Sequence, residues 1–216
     1  DLVRNQSPLR ALMPFVMPGR VEATVYFEQR LDLTHAQPWL DAWNLAHPQD
    51  KRTWLHVVLA ALVRTLAHRP ALHRFVVGGR VYQRRRLEVA FAVKKAKTDD
   101  GGMTMVKVAC EPGDRLADVA LRTSAAVAVG RGNRQTSGET EMALVARLPG
   151  PLVRWALALQ RHLDAWNLLP VLLMADDPLY ASAVLTHTGS VGLDAPFHHL
   201  YEYGTVPIFV AIGQVQ

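Results

Sequence analysis

HVVLAALVRTLAHRPALHRFVVGGRVYQRRRLEVAFAVKK, His56–Lys95, is the stretch whose reading decides the fold, because its hydrophobic period changes within it. In and just before its first part, Leu55, Val58, Leu59, Leu62, Val63 and Leu66 recur at three- and four-residue spacing on one broad face, which predicts a buried amphipathic helix. That helix is expected to be opened by Asp50, to run from about Lys51 to His68, and to stop before Pro70, whose ring lacks a backbone donor. RFVVGGRVYQ (Arg74–Gln83) then sets two β-branched runs around Gly78-Gly79, a hairpin signal. LEVAFAVKKA (Leu87–Ala96) follows as a strand: Leu87, Val89, Phe91 and Val93 face one side, while Ala90 and Ala92 make the other face small rather than polar.

Outward from this block the pattern alternates between elements. VEATVYFEQRLDLT (Val21–Thr34) places Val21, Ala23, Val25 and Phe27 on one side and reads as a strand with one wet face. Before it, residues 1–20 form an N-terminal arm that Pro14 and Pro18 keep extended apart from a helical turn. Thr34 is expected to cap a helix over HAQPWLDAWNLAH. On the C-terminal side, DDGGM is a turn, TMVKVACE a returning strand, and Asp114 caps a helix over RLADVALRTSAAVAV. GRGNRQTSG is a basic loop with Arg131 and Arg134, and ETEMALVARLP and PLVRWALALQRHLDAWNLLP are helical. ASAVLTHTGSVG and TVPIFVAIGQV are strand-like. The hexapeptide LDAWNL occurs twice, at Leu40 and Leu163, with unlike flanks. Both copies read as helix C-terminal turns with Trp43 and Trp166 as packing residues, not as a repeat unit. Hairpins with helices segregated from them predict an α/β fold of α+β type, a two-layer sandwich on a mixed, mostly antiparallel sheet, as one domain over 21–216.

Composition bounds the function. The 216 residues suffice for one well-buried domain, and 50% hydrophobic with 20% charged residues reads as soluble and globular. The net charge of +5 is read as solvated surface charge. The single cysteine, Cys110, excludes an internal disulfide and reads as a small core residue in a reducing compartment. No run approaches the ~20 apolar residues of a membrane span, no leader pattern opens the chain, and cytoplasm with no membrane partner is expected. The first residue is Asp1 rather than Met, so trimming upstream is expected. There is no glycine-rich phosphate loop, no HExxH and no cysteine pair for zinc, so no metal is expected. HTGSVG fits GxSxG only loosely. Aromatics at 7% are not interleaved with a basic patch, which argues against nucleic acid. Arg84–Arg86 alternate faces on a strand and make no single anion clamp.

Two blocks carry a resemblance. His56–Lys95 resembles the catalytic domain of 2-oxoacid dehydrogenase acyltransferases, where a buried helix runs into P-x-L-N, a hairpin and a strand of the type I-x-I-x-x-A-V. Pro70, Leu72, Val89, Phe91, Ala92 and Val93 fit, and His73 stands where the family usually has Asn. SAVLTHTGSVGLDAPFHHLYEYGTVPIFVAIGQV resembles that domain's late segment, with Thr186, Gly189, Gly192 and Ile212-Gly213 holding the register. The resemblance covers most of the chain from about Val21. It implies a chloramphenicol-acetyltransferase-like fold and a homotrimer, alone or within a larger assembly. It also implies active sites between subunits that move an acyl group between CoA and a dihydrolipoyl thiol, and 2-oxoacid dehydrogenase-type partners. A C-terminal HxxxDG histidine acts there as base on a thiol of pKa about 8.5, and a Ser or Thr hydroxyl at the Thr186 position stabilises the oxyanion, worth ~3 kcal/mol in comparable sites.

HHLYEYG invites a match to that base motif: His198, His199 and Gly204 fit HHxxxDG, with Tyr203 in place of Asp. The register set by Thr186, Gly189 and Gly213 places it before the last strand, upstream of the true motif. His198, His199 and Tyr201 are therefore expected at a subunit interface, and His187, beside Thr186 but on the opposite face by alternation, is the second candidate for the site. The chain is expected to be a piece of a longer protein that lacks the domain's last strand, last helix and base, with no lipoyl-lysine of its own. Three functions follow: an acyl-CoA-dependent acyltransferase, a catalytically inactive trimeric scaffold of the same fold, or a small-molecule O-acetyltransferase.

Overall fold

The computed structural model describes residues 1–95, 102–132, 147–166, 168–170 and 174–216. The start of the DDGGM turn, Arg134 with most of its loop, and most of the ETEMALVARLP helix lie outside the described residues. The described helices are α1 (Pro8–Val16), α2 (Ala36–Ala46), α3 (Trp54–His68), α4 (Leu116–Arg131) and α5 (Gly150–Ala165). The strands are β1 (Phe75–Val77), β2 (Arg80–Tyr82), β3 (Leu87–Lys94), β4 (Met103–Cys110), β5 (Ala183–His187) and β6 (Phe209–Ile212).

The hairpin forms as its sequence requires: β1 and β2 pair around Gly78 and Gly79, both at positive φ (56° and 71°), a turn that only glycine adopts without strain. The remaining four strands form one sheet in the order β4-β3-β5-β6. It is mixed, but the expectation of mostly antiparallel pairing fails there: β3–β4 is antiparallel, whereas β3–β5 and β5–β6 are parallel. The reason is connectivity. The long excursion from β4 through α4 and α5 returns the chain to the end where β3 began, and so does the loop before β6.

Leu87, Val89, Phe91 and Val93 of β3, with Val106, Val108 and Cys110 of β4 and Leu185 of β5, pack under Leu59, Val63 and Leu66 of α3 and Val119 of α4. Each fully buried aliphatic or aromatic side chain here contributes about 1.5–3 kcal/mol. Cys110 is buried and free, and burial pushes its thiol up to about 11, which makes it an inert core residue. The opposite face of the sheet carries a smaller cluster of Ala90, Ala181, Val184 and Val206. The small Ala90 thus answers to a second apolar layer rather than to water.

Five local expectations are corrected. Val21–Thr34 is not a strand. No neighbour pairs with it among the described residues, the backbone N–H groups at its start, of Arg20 and Val21, donate to the Glu202 carboxylate (3.2 and 2.8 Å), and Val25 and Phe27 are left 90% and 84% exposed. The arm contains a true helix, α1, with Pro14 inside it: in nine residues the proline forfeits a single ladder bond, and Pro8 pre-sets the first turn. Thr34 and Asp114 do not cap. Thr34 donates instead to Asp32 (2.6 Å), and Asp114 accepts from the backbone of Glu111 (2.8 Å). Helix α3 begins at Trp54, because the Thr53 N–H donates to His56 Nδ1 (3.1 Å) and closes the N-terminus there, while Asp50 pairs with Arg52. Trp166, expected as a packing residue, is left 77% exposed. Among the described residues no helix is long and apolar enough to cross a membrane.

Candidate functional site

Strand β5 carries the two first candidates to the rim of the sheet. It lies between β3 and β6, with Thr186 opposite Ala211 and His187 opposite Ile212. Leu185 belongs to the core under α3 and α4, and Val184 to the cluster on the other face. Alternation therefore puts Thr186 on the Val184 face and His187 on the Leu185 face. Both are half-buried. The Thr186 hydroxyl has no hydrogen-bond partner among the described residues. Burial alone holds the His187 imidazole below the ordinary histidine value, so it is neutral at pH 7.

The turn after β5 is pinned against β6. A Cβ on Gly189 would stand 2.2 Å from the carbonyl oxygen of Gly213, so the two backbones touch, and only glycine permits that approach. The Thr188 hydroxyl lies within hydrogen-bond distance of the carbonyls of Asp194 (3.0 Å) and Ile212 (3.1 Å), and Ser190 donates to the carbonyl of His187 (2.7 Å). The neighbouring hydroxyls are consumed by the backbone, which leaves Thr186 as the one with a free donor at this end of the strand among the described residues.

His198 stacks flat on Phe209, ring centres 4.2 Å apart and 7° from parallel, with Tyr201 at 5.2 Å. Phe209 stands opposite Val184, so His198 shares the face of Thr186, and His187 does not. His199 is exposed, its Nδ1 2.9 Å from the carbonyl of Leu200. Tyr203 does not replace a catalytic Asp. Its hydroxyl donates to Asp177 (2.6 Å) and accepts from Gln160 (2.7 Å), and burial holds the phenol above its ordinary range.

A second polar cluster, which sequence reasoning missed, sits at the opposite end of β5 and β6. The Arg84 guanidinium donates to the carbonyls of Tyr180 (2.7 Å) and Thr205 (2.8 Å), and burial lowers its pKa to about 10. Arg20 donates to the carbonyls of Gly204 (3.0 Å) and Val206, and burial lowers it too. Both leave a buried Nε without a partner among the described residues. Beside them a cavity of about 240 Å³ is lined by Arg20, Gln160, Asp164, Tyr180, Glu202 and Tyr203. Behind it, buried His73 reaches Ser182 (Nδ1 to Oγ, 3.1 Å), and burial holds that imidazole below its ordinary value. The chemistry here is structural: guanidinium donors tie the entries of two parallel strands together. Arg84–Arg86 lie between β2 and β3 rather than on a strand, so the expected alternation of faces does not apply to them, and nothing local marks Arg84 or Arg20 as inward. No group of side chains suited to a metal ion exists among the described residues.

No family model matches the chain, and no curated protein matches it. Solved structures do. The chain is similar to a probable dihydrolipoamide acetyltransferase from Listeria monocytogenes (TM-score 0.56, 10% identity, 100% of this chain and 76% of that one). It is similar to a truncated catalytic core of the 2-oxoacid dehydrogenase multienzyme complex from Thermoplasma acidophilum (TM-score 0.56, 13% identity, 100% and 81%). It is also similar to Azotobacter vinelandii dihydrolipoamide acetyltransferase, in whose catalytic mechanism a serine, a histidine and an asparagine have been investigated (TM-score 0.54, 15% identity, 99% and 74%). At these identities the likeness shows the fold: a mixed α/β architecture similar to the catalytic cores of dihydrolipoamide acyltransferases.

Proposed function

We propose that this chain, whose fold is similar to that of dihydrolipoamide acyltransferase cores, is an acyl-CoA-dependent acyltransferase of the chloramphenicol-acetyltransferase-like superfamily. The observation that carries the reading is the Thr186 hydroxyl: half-buried at the end of a central strand, without a partner among the described residues, and at the position where the resemblance puts the oxyanion donor. In the reaction an acceptor thiol, dihydrolipoyl by resemblance, loses its proton to a base and attacks the thioester carbonyl of acyl-CoA. The carbonyl oxygen takes up negative charge, the Thr186 O–H donates to it, and the tetrahedral adduct collapses by expelling the CoA thiolate, which takes a proton back. A fixed donor at that oxygen acts more strongly in the transition state than in the ground state, which is the condition for raising kcat. By the same resemblance the protein is a homotrimer with sites between subunits, and the base is an HxxxDG histidine downstream of β6.

One observation favours a second reading, a non-catalytic core kept for assembly with 2-oxoacid dehydrogenase-type partners. Among the described histidines near the core none stands unengaged on the Thr186 face: His56 pairs with Thr53, His73 with Ser182, His198 is stacked on Phe209, and His187 lies on the opposite face of the sheet. Acetyl transfer from acetyl-CoA to dihydrolipoamide, measured on the full-length protein beside an acetyl-CoA titration, separates the two. Thr186→Ala is expected to lower kcat about 10²–10³-fold with KM little changed, and Thr186→Ser to retain most activity. CoA binding without turnover in the wild type selects the scaffold, and absence of both binding and turnover overturns the acyltransferase reading.

A further inference from the structure

Helix α5 is inverted relative to an ordinary surface helix. None of its residues is buried. The half-buried positions are Val153, Gln160, Leu163 and Asp164, and Gln160 hydrogen-bonds the body of the protein at Tyr203 (2.7 Å). Leu152, Trp155 and Leu159 are 49%, 64% and 43% exposed, and Trp166, just past the helix, is 77% exposed. Their spacing of three, four and seven places them on one stripe. Arg154 and Arg161, both exposed, stand seven residues apart in a second row along the helix, and exposed Arg147 lies just before its start. The one acid of the helix, Asp164, lies on the inward side with Arg20 and lines the cavity.

The surface continues past the helix. A Cβ on Gly78 would stand 2.1 Å from the carbonyl oxygen of Ala165, so the end of α5 abuts the β1–β2 turn. A Cβ on Gly79 would stand 2.6 Å from the Phe15 ring, so α1 abuts the same turn. There α1 leaves Leu9, Leu12 and Phe15 exposed at 70%, 59% and 68%, and its single charge is Arg10. The exposed charges of α1, the hairpin and α5 are thus all arginine.

We propose that α5, with α1 beside it at the hairpin, is a surface that lies on an anionic lipid bilayer. The apolar stripe enters the boundary between headgroups and acyl chains, and the arginine row meets the lipid phosphates. Exposed tryptophans on an apolar stripe, with arginines on the other exposed side of the same helix, match the chemistry of that boundary, where an amphipathic ring is favoured and basic residues are drawn to anionic headgroups. Charge disfavours a two-fold contact with a second copy of this chain, because that contact would set arginine rows against each other, whereas anionic headgroups complement them. The absence of a spanning helix among the described residues is no obstacle, since an interfacial helix lies in the plane of the membrane. The surface lies near Tyr203 and the hairpin, at the opposite end of β5 from Thr186, so it stands or falls independently of acyl transfer.

Co-sedimentation of the full chain with phosphatidylcholine vesicles, and with vesicles containing phosphatidylglycerol, tests it. Binding is expected to the phosphatidylglycerol vesicles alone, to weaken in high salt, and to fall about tenfold or more in Arg154→Glu/Arg161→Glu and in Trp155→Ser/Leu159→Ser. All four side chains are exposed, and circular dichroism confirms that the variants fold. Absence of binding, or equal binding by wild type and both variants, overturns the proposal. So does self-association without vesicles that Trp155→Ser/Leu159→Ser abolishes, which would make this face a contact between copies.

Discussion

The two copies of LDAWNL, at Leu40–Leu45 and Leu163–Leu168, both begin inside the last turns of a helix, yet the protein uses them differently. In the first, Leu40 is buried at 4% exposure. The Trp43 indole donates to the carbonyl of Asp50 (3.1 Å), stacks on His47 (4.0 Å) and lies 5.4 Å from the Arg52 guanidinium. Asn44 exchanges two hydrogen bonds with the backbone of Arg52 (2.7 and 3.0 Å). In the second, Leu163 is half-buried, Asp164 lines a cavity and Trp166 stands in the open. Each copy begins within the last turns of its helix. The burial of the tryptophan depends on what the following chain does, and after α2 it turns back so that Asp50 and Arg52 cover the ring.

The comparison can be broken by substitution. Leu40→Ala should cost about 2–4 kcal/mol, since it opens a cavity in a buried layer, and Leu163→Ala less than about 1 kcal/mol. Urea unfolding of the two variants checks this, and equal losses would show that the copies are equivalent after all. Asn44→Ala should cost about 1–2 kcal/mol by leaving the N–H and C=O of Arg52, itself 6% exposed, without partners, and a thermal melt reads it. The smallest effect belongs to Asp164. Burial raises its carboxyl above the ordinary 3.8, with Arg20 acting the other way. The folded state then holds a proton that the unfolded chain has released, so this group's stabilisation is full below 3.8 and is lost as pH rises through the raised value. Relative to Asp164→Asn, the wild type should lose stability as pH rises from below 3.8 towards neutrality, and parallel stability curves would contradict it.

The core elements were legible because each buries a periodic face. The alternation of Leu87, Val89, Phe91 and Val93 and the three-four spacing of Leu59, Val63 and Leu66 state which side faces inward. The same logic misled at Val21–Phe27, where the alternation is as clean but no strand lies alongside, and the backbone donors of Arg20 and Val21 went to Glu202 instead. Thr186 could be singled out from the resemblance, and alternation separated it from His187. The return of His198 to the Thr186 face could not be read, because it depends on a loop that folds back over Phe209.

By itself the sequence determined helix α3, the Gly78-Gly79 hairpin and the inward faces of β3 and β4, since these follow from spacing and from the conformations glycine allows. Tertiary structure alone decided the parallel course of β5 and β6, the burial of Arg20 and Arg84 against carbonyls far away in the chain, and the outward turn of Leu152, Trp155 and Leu159. Local period fixes which side chains share a face. Which face meets the core and which meets solvent is settled by the other elements that compete to cover it.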